Sequence, residues 1–232
     1  MGLVIAAGLL TFYAMSQSQE ANGAPGPART TQPAEKVPQI DILGDSYVGG
    51  SAEGGNGAAN WTKVVGTRFY DQGSRVELNV IAQPGSGYLA RGTTDLVFRE
   101  AATLRLRPTA DVVLVFGSRN DGRQDDTTMY DAAQSLYSDI QNIAPEAKVV
   151  VVGPVWVDAD VPDFISANNE AMARAASDGN VVYIDALAEG WFAGSEDGLI
   201  GADGIHPTDE GHAYLASKIF PLLEDIIEEP AP

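Results

Sequence analysis

Residues 40–47 read Ile40-Asp41-Ile42-Leu43-Gly44-Asp45-Ser46-Tyr47, an apolar β-prone run that ends in a glycine and two small polar residues. The run over 39–43 suits a buried strand, and Gly44 suits a sharp turn out of it. A glycine-rich stretch follows, with Gly49, Gly50, Gly54, Gly55 and Gly57. A serine at a sharp strand-to-helix turn is exposed, and the positive end of the next helix favours negative charge developing beside it. Val48 stands where a Gly-x-Ser-x-Gly elbow would carry its second glycine, so that motif is excluded. No Gly-Lys pair precedes a Ser or Thr as a phosphate-binding loop requires. Taken alone, the stretch also fits a serine that closes a tight turn by bonding local backbone.

Further short β-prone runs follow at 76–82, 111–116, 148–152 and 181–184. Several are continuously apolar, as expected of strands covered on both faces. Helical patterns fall between them. Asn60 is placed to cap a helix over 60–68, and residues 128–144 put Ala133, Leu136, Tyr137, Ile140 and Ile143 on one stripe before Pro145. Residues 165–177 and 209–227 are the remaining helical stretches. Strands alternating with helices predict an α/β fold, a three-layer α/β/α sandwich around a mostly parallel five-stranded sheet. In such sheets the chemistry lies beyond the carboxyl ends of the strands.

Two more of those ends carry polar residues. The third strand runs into Phe116-Gly117-Ser118-Arg119-Asn120-Asp121. The Asn120 amide is placed to donate to an oxyanion on the same rim as Ser46; the alternative is an Asn-Asp turn bonded to its own backbone. After the fifth strand comes Asp203-Gly204-Ile205-His206-Pro207, and His212 is the chain's other histidine. An Asp three residues before a His can accept one imidazole N–H and leave the second nitrogen free as a base. Metal ligation by Asp203 and His206 is the competing reading, although His206 and His212 with Asp209 and Glu210 between them match no established ligand spacing. His212 is expected to be a satisfied surface or core residue.

In this order and at these strand ends, Gly44-Asp45-Ser46-Tyr47, Gly117-x-x-Asn120-Asp121 and Asp203-x-x-His206-Pro207 resemble the block motifs of the SGNH (GDSL) hydrolase family. The resemblance spans the body of the chain from Val37 onward and implies a flavodoxin-like sheet. It implies a serine esterase or acyl hydrolase in which Ser46 is the nucleophile, His206 the general base and Asp203 its orienting acid. The oxyanion hole would comprise the Ser46 N–H, the Asn120 amide and a glycine N–H after the second strand, with Gly87 matching best and Gly85 as the alternative. Tyr47 stands where the family name has leucine. The resemblance implies no metal, nucleotide or organic cofactor. Acylated carbohydrate, lipid and small acyl esters are the candidate substrates. A non-catalytic surface carbohydrate binder on the same fold and an acyltransferase using the same residues are the alternatives. Tyr47, Tyr88 and Trp156 near the rim fit either a substrate pocket or core packing. Arg119 fits either a site for a substrate anion or a loop cation paired to a local acid.

Composition narrows the setting. Across 232 residues, 14 Lys or Arg stand against 32 Asp or Glu, a formal charge of −18, and cysteine is absent. Disulfides, thiolate nucleophiles and thiolate metal sites are therefore excluded. So acidic a surface repels phosphate backbones, which argues against nucleic-acid binding. Residues 3–14 are almost wholly apolar yet shorter than the roughly 20 that span a bilayer. Residues 1–16 accordingly read as a secretory signal or N-terminal anchor, 17–36 as a flexible linker rich in Pro, Ala, Gly and Gln, and 37–232 as the functional domain. The expected location is extracellular, free or tethered through the apolar segment.

Overall fold

A computed structural model of the chain describes residues 36–117, 119–158, 160–194 and 198–228. The expected signal at 1–16 and the linker at 17–36, apart from Lys36, lie outside them. Strand β1 (Gln39–Gly44) is buried over nearly its whole length. It pairs on one side with β2 (Glu77–Ala82) and on the other with β3 (Val112–Phe116), and β4 (Lys148–Val152) and β5 (Val182–Ile184) extend the sheet. Every pairing is parallel and the order is β2-β1-β3-β4-β5.

The central strands are mostly apolar because both faces are covered, while edge strand β2 carries the exposed Glu77 and the half-buried Asn79. Leu43, Val113, Val115 and Val151 face one layer, which holds α3 (Phe98–Arg105), α4 (Asp126–Ile143) and α5 (Asp163–Asp178). Ile40, Ile42, Leu114 and Phe116 face the other, beneath α2 (Trp61–Asp71) and α6 (Asp209–Glu228). Alternate residues of one strand thus enter opposite cores, as the two-residue period of a strand dictates. A fully buried Asp41 interrupts β1, and Arg107 answers it with its Nε at 2.6 Å and its backbone N–H at 2.7 Å.

Several helix boundaries differ by one to three residues from those expected, including those of α4, α2 and α5. Helix α4 starts at Asp126 because the Asp125 carboxylate accepts the Thr128 N–H at 2.9 Å and caps the helix earlier. Helix α2 keeps the predicted Asn60 cap, whose side chain accepts the Thr62 N–H, but runs on to Asp71. Helix α3 was not anticipated. Val97 stands before it without a polar capping side chain, and it buries only Phe98, Ala101 and Ala102, too short a stripe to announce a period. Its entry is held instead by Glu100, which accepts the Val97 N–H at 3.2 Å.

The strand order reverses between β1 and β3. From β1 the chain leaves toward α2 on one face, and from β3 toward α4 on the other. The two departing loops diverge and leave a crevice at the carboxyl edge, where sheets of this kind place their ligands.

Candidate active site

Gly44 lets β1 end abruptly. A Cβ there would lie 2.4 Å from Val48 Cγ2 and 2.5 Å from the Phe116 carbonyl oxygen, so any side chain would push apart the turn and the neighbouring strand end. Asp45 then caps the four-residue helix α1 (Ser46–Gly49), its Oδ1 accepting the Tyr47 N–H at 2.9 Å. One turn sums few peptide dipoles, so the helix contributes less to an anion than the sequence suggested. Ser46 presents its own N–H instead, which finds no acceptor among the described residues.

The loop after β5 returns to this turn. His206 Nε2 lies 3.0 Å from Ser46 Oγ, and His206 Nδ1 lies 2.6 Å from Asp203 Oδ2. Asp203 Oδ1 also accepts the backbone N–H groups of Ile205 and His206, at 2.8 and 2.9 Å. The bond from the His206 ring, reinforced by these two, lowers the Asp203 carboxyl to about 2. An ionised carboxylate only accepts, so Nδ1 carries the proton and the Nε2 lone pair faces the serine hydroxyl.

Asn120 reaches far beyond its own turn. Its Nδ2 donates to Asp45 Oδ2 at 3.0 Å and to the Ser86 carbonyl at 2.8 Å, joining the loops after β1, β2 and β3. Asp121 gathers the N–H groups of Tyr88, Leu89 and Ala90 at 2.8–3.2 Å. Burial raises the Asp45 carboxyl to about 7 against the bond from Tyr47, and Asp121 raises it further while His206 and Arg119 oppose the shift.

The expectation for Gly87 needs correcting. Its N–H already donates to the Ala90 carbonyl at 2.9 Å, whereas the Gly85 N–H has no partner among the described residues. Gly87 is required for packing, since a Cβ there would strike the Asp121 carboxylate at 2.3 Å.

Two of the three rim aromatics belong to the core. Tyr47 and Tyr88 are buried, and the Tyr88 hydroxyl meets that of Tyr137 at 3.1 Å. Trp156 lies under the guanidinium of Arg119, whose Cζ sits 4.2 Å from the ring centroid. Arg119 therefore stacks on a ring and forms no ion pair among the described residues where one with a local acid was expected, although its charge reaches Asp45. His212 is fully buried, its Nδ1 accepts the Trp61 N–H at 3.4 Å, and burial lowers its imidazole to about 4, which keeps it neutral in the core. Among the described residues no three His, Asp or Glu side chains cluster as a metal site, so the ligand reading of Asp203 and His206 lacks a third donor.

The sequence pattern of the GDSL-like lipase/acylhydrolase family matches residues 42–214, which span all of these loops. The chain belongs to that family. Its members are carboxylic ester hydrolases, and so is this chain. Among curated proteins it is similar to a GDSL lipase of Mycobacterium tuberculosis, 33% identical over 87% of this chain and 89% of the relative. Among solved structures it is similar to the psychrotrophic esterase EstA of a Pseudoalteromonas species, with a TM-score of 0.62 at 16% identity over 82% of this chain and 99% of that one. A family two carbohydrate esterase of Cellvibrio japonicus superposes with a TM-score of 0.63 at 17% identity over 85% of this chain and 64% of that one. These two solved structures share the α/β sandwich described above.

Asp45 and Asp121 escaped the sequence reading as site residues. Both lay within quoted motifs, but their partners are 31 to 75 residues away and no local pattern names them.

Proposed function

We propose that this esterase works through an acyl-Ser46 intermediate, a reading carried by the continuous hydrogen-bonded line from Asp203 through His206 to Ser46. A serine hydroxyl is a weak nucleophile near neutrality. His206 Nε2 takes its proton as Oγ attacks the ester carbonyl, and the ionised Asp203 stabilises the imidazolium that results. The oxyanion falls to the Ser46 N–H and the Asn120 amide, once a hydrogen now held by Asp45 or Ser86 turns toward it. Gly85 supplies a third N–H. His206 then gives its proton to the departing alkoxide. Water, activated by the same nitrogen, releases the acid and restores Ser46.

Neutral esters of short acids, on small alcohols or on carbohydrate, are the proposed substrates. The formal charge of −18 repels anionic surfaces, which supports a neutral substrate. Export is part of the same proposal, supported by the apolar residues 3–14. A purely carbohydrate-binding role leaves the ionised Asp203 and the Nε2 aimed at Ser46 without a purpose.

Hydrolysis of p-nitrophenyl acetate, butyrate and palmitate, and of an acetylated oligosaccharide, tests the proposal. Turnover should favour the short esters, survive exhaustive chelation and vanish in Ser46→Ala. A folded wild type that cleaves no ester, yet binds the oligosaccharide as well as Ser46→Ala does, would leave a binding module.

A further inference from the structure

We propose that the Tyr47 hydroxyl is a positioning group for the general base, holding the His206 loop in register with the nucleophile by donating to the Ile205 carbonyl. The inference rests on the esterase reading above and adds a residue which that reading does not use. Tyr47 follows Ser46 and Ile205 precedes His206, so the bond ties together the immediate neighbours of the two reacting groups, 158 residues apart in sequence. Movement of one loop against the other would have to break it.

Beyond His206 the buried Pro207 anchors the chain against Ile200, but the stretch before the base has few ties. Residues 202–205 are all exposed, and Ile205 projects its side chain to solvent instead of anchoring in a core. Within the loop, Gly201 donates to the His206 carbonyl at 2.8 Å, which closes the loop on itself without attaching it to the body. Glu53 accepts the Ala202 N–H at 2.9 Å, a second tie placed four residues before the base. The tie beside the base is the one from Tyr47.

Tyr47, by contrast, is rigidly mounted. Its ring meets Phe116 and Phe192 edge-on at centroid distances of 6.0 and 6.1 Å, and its carbonyl accepts the Trp61 indole N–H at 2.7 Å. The hydroxyl donates to the Ile205 carbonyl, with the positive charge of Arg119 nearby. Arg119 stacks on Trp156, and its Nη1 is buried without a hydrogen-bond partner among the described residues. Burial raises the Tyr47 phenol to about 12, so the donor keeps its proton throughout the pH range in which an imidazole base works.

Tyr47→Phe removes the hydroxyl and keeps the ring. A misplacement near 1 Å costs about 10²-fold in rate, so kcat for p-nitrophenyl acetate should fall about 10- to 100-fold with KM changed less than about twofold. The second-order rate of Ser46 labelling by a p-nitrophenyl phosphonate should fall by a similar factor, since that step needs the same Ser46–His206 pair. A variant with a lowered melting temperature whose folded fraction labels at the wild-type rate would overturn the inference and leave Tyr47 a packing residue. If Tyr47→Phe does not fold, Tyr47→p-fluorophenylalanine replaces it, keeping a ring with a polar atom of similar size that cannot donate to Ile205, with the same fall in kcat and labelling expected at constant KM. Labelling at the wild-type rate there would overturn the inference equally. Wild-type protein that takes no phosphonate on Ser46 would instead sink the esterase reading itself.

Discussion

The side-chain amide of Asn120 donates to the buried carboxylate of Asp45 at 3.0 Å, which joins the loops leaving β3 and β1 on either side of the point where the strand order reverses. Asp45, beside the proposed nucleophile Ser46, is thereby bonded to a proposed oxyanion-hole donor before any substrate arrives.

Asn120→Ala separates two roles for that amide. A transition-state donor, once removed, costs about 10²-fold or more in kcat and in kcat/KM together, with KM little changed. A purely structural bridge between loops would cost roughly 1 kcal/mol of stability and leave the rate of the folded fraction intact. The first outcome is expected, and kcat and melting temperature measured on one preparation distinguish them.

Asp45 should leave its mark on stability as a function of pH. With a folded pKa of about 7, it holds a proton that the unfolded chain, titrating near the ordinary carboxylate value of about 3.9, has already released. Its contribution is greatest below about pH 4, is lost as pH rises through 7 and is constant above that, a change on the order of a few kcal/mol. Asp203, lowered to about 2, acts oppositely and loses its contribution only as pH falls below 4. Between pH 5 and 8 the melting temperature of wild type should therefore fall relative to that of Asp45→Asn. Parallel curves would show that Asp45 is ionised throughout.

The amino-terminal half of the sheet can be perturbed without touching the chemistry. Arg107→Ala strips the guanidinium from fully buried Asp41, leaving it the Arg107 N–H and the Asn79 amide. Loss of one partner from a buried pair costs about 3 kcal/mol. Urea denaturation should register that loss, while kcat and KM at a temperature where the variant is folded stay unchanged.

Much of this architecture is legible in the sequence because it is local. The run that becomes β3 is continuously apolar, β4 departs from this only at Lys148 and β1 only at Gln39 and Asp41, and a strand buried on both faces admits little else. Asp203 and His206 are three residues apart, close enough for their pairing to be foreseen. Ser46 stands out for its place directly after a strand that ends in glycine. What escaped depends on contacts across the fold. Helix α3 has neither a polar cap nor a long stripe, and packing holds it. The N–H of Gly87 turns inward to Ala90 on a loop whose next three N–H groups Asp121 collects from 31 to 33 residues away. Tyr47 reads as a neighbour of the nucleophile, and only the closed fold brings its hydroxyl to Ile205.

The site of covalent modification by a p-nitrophenyl phosphonate, found by peptide mass spectrometry on the wild-type protein, is the most direct test of the mechanism. One equivalent of phosphonyl group on the peptide containing Ser46, absent from Ser46→Ala and formed far more slowly by His206→Ala, is the predicted result. Stoichiometric labelling of another serine, with Ser46 unmodified and ester hydrolysis nonetheless abolished, would contradict it.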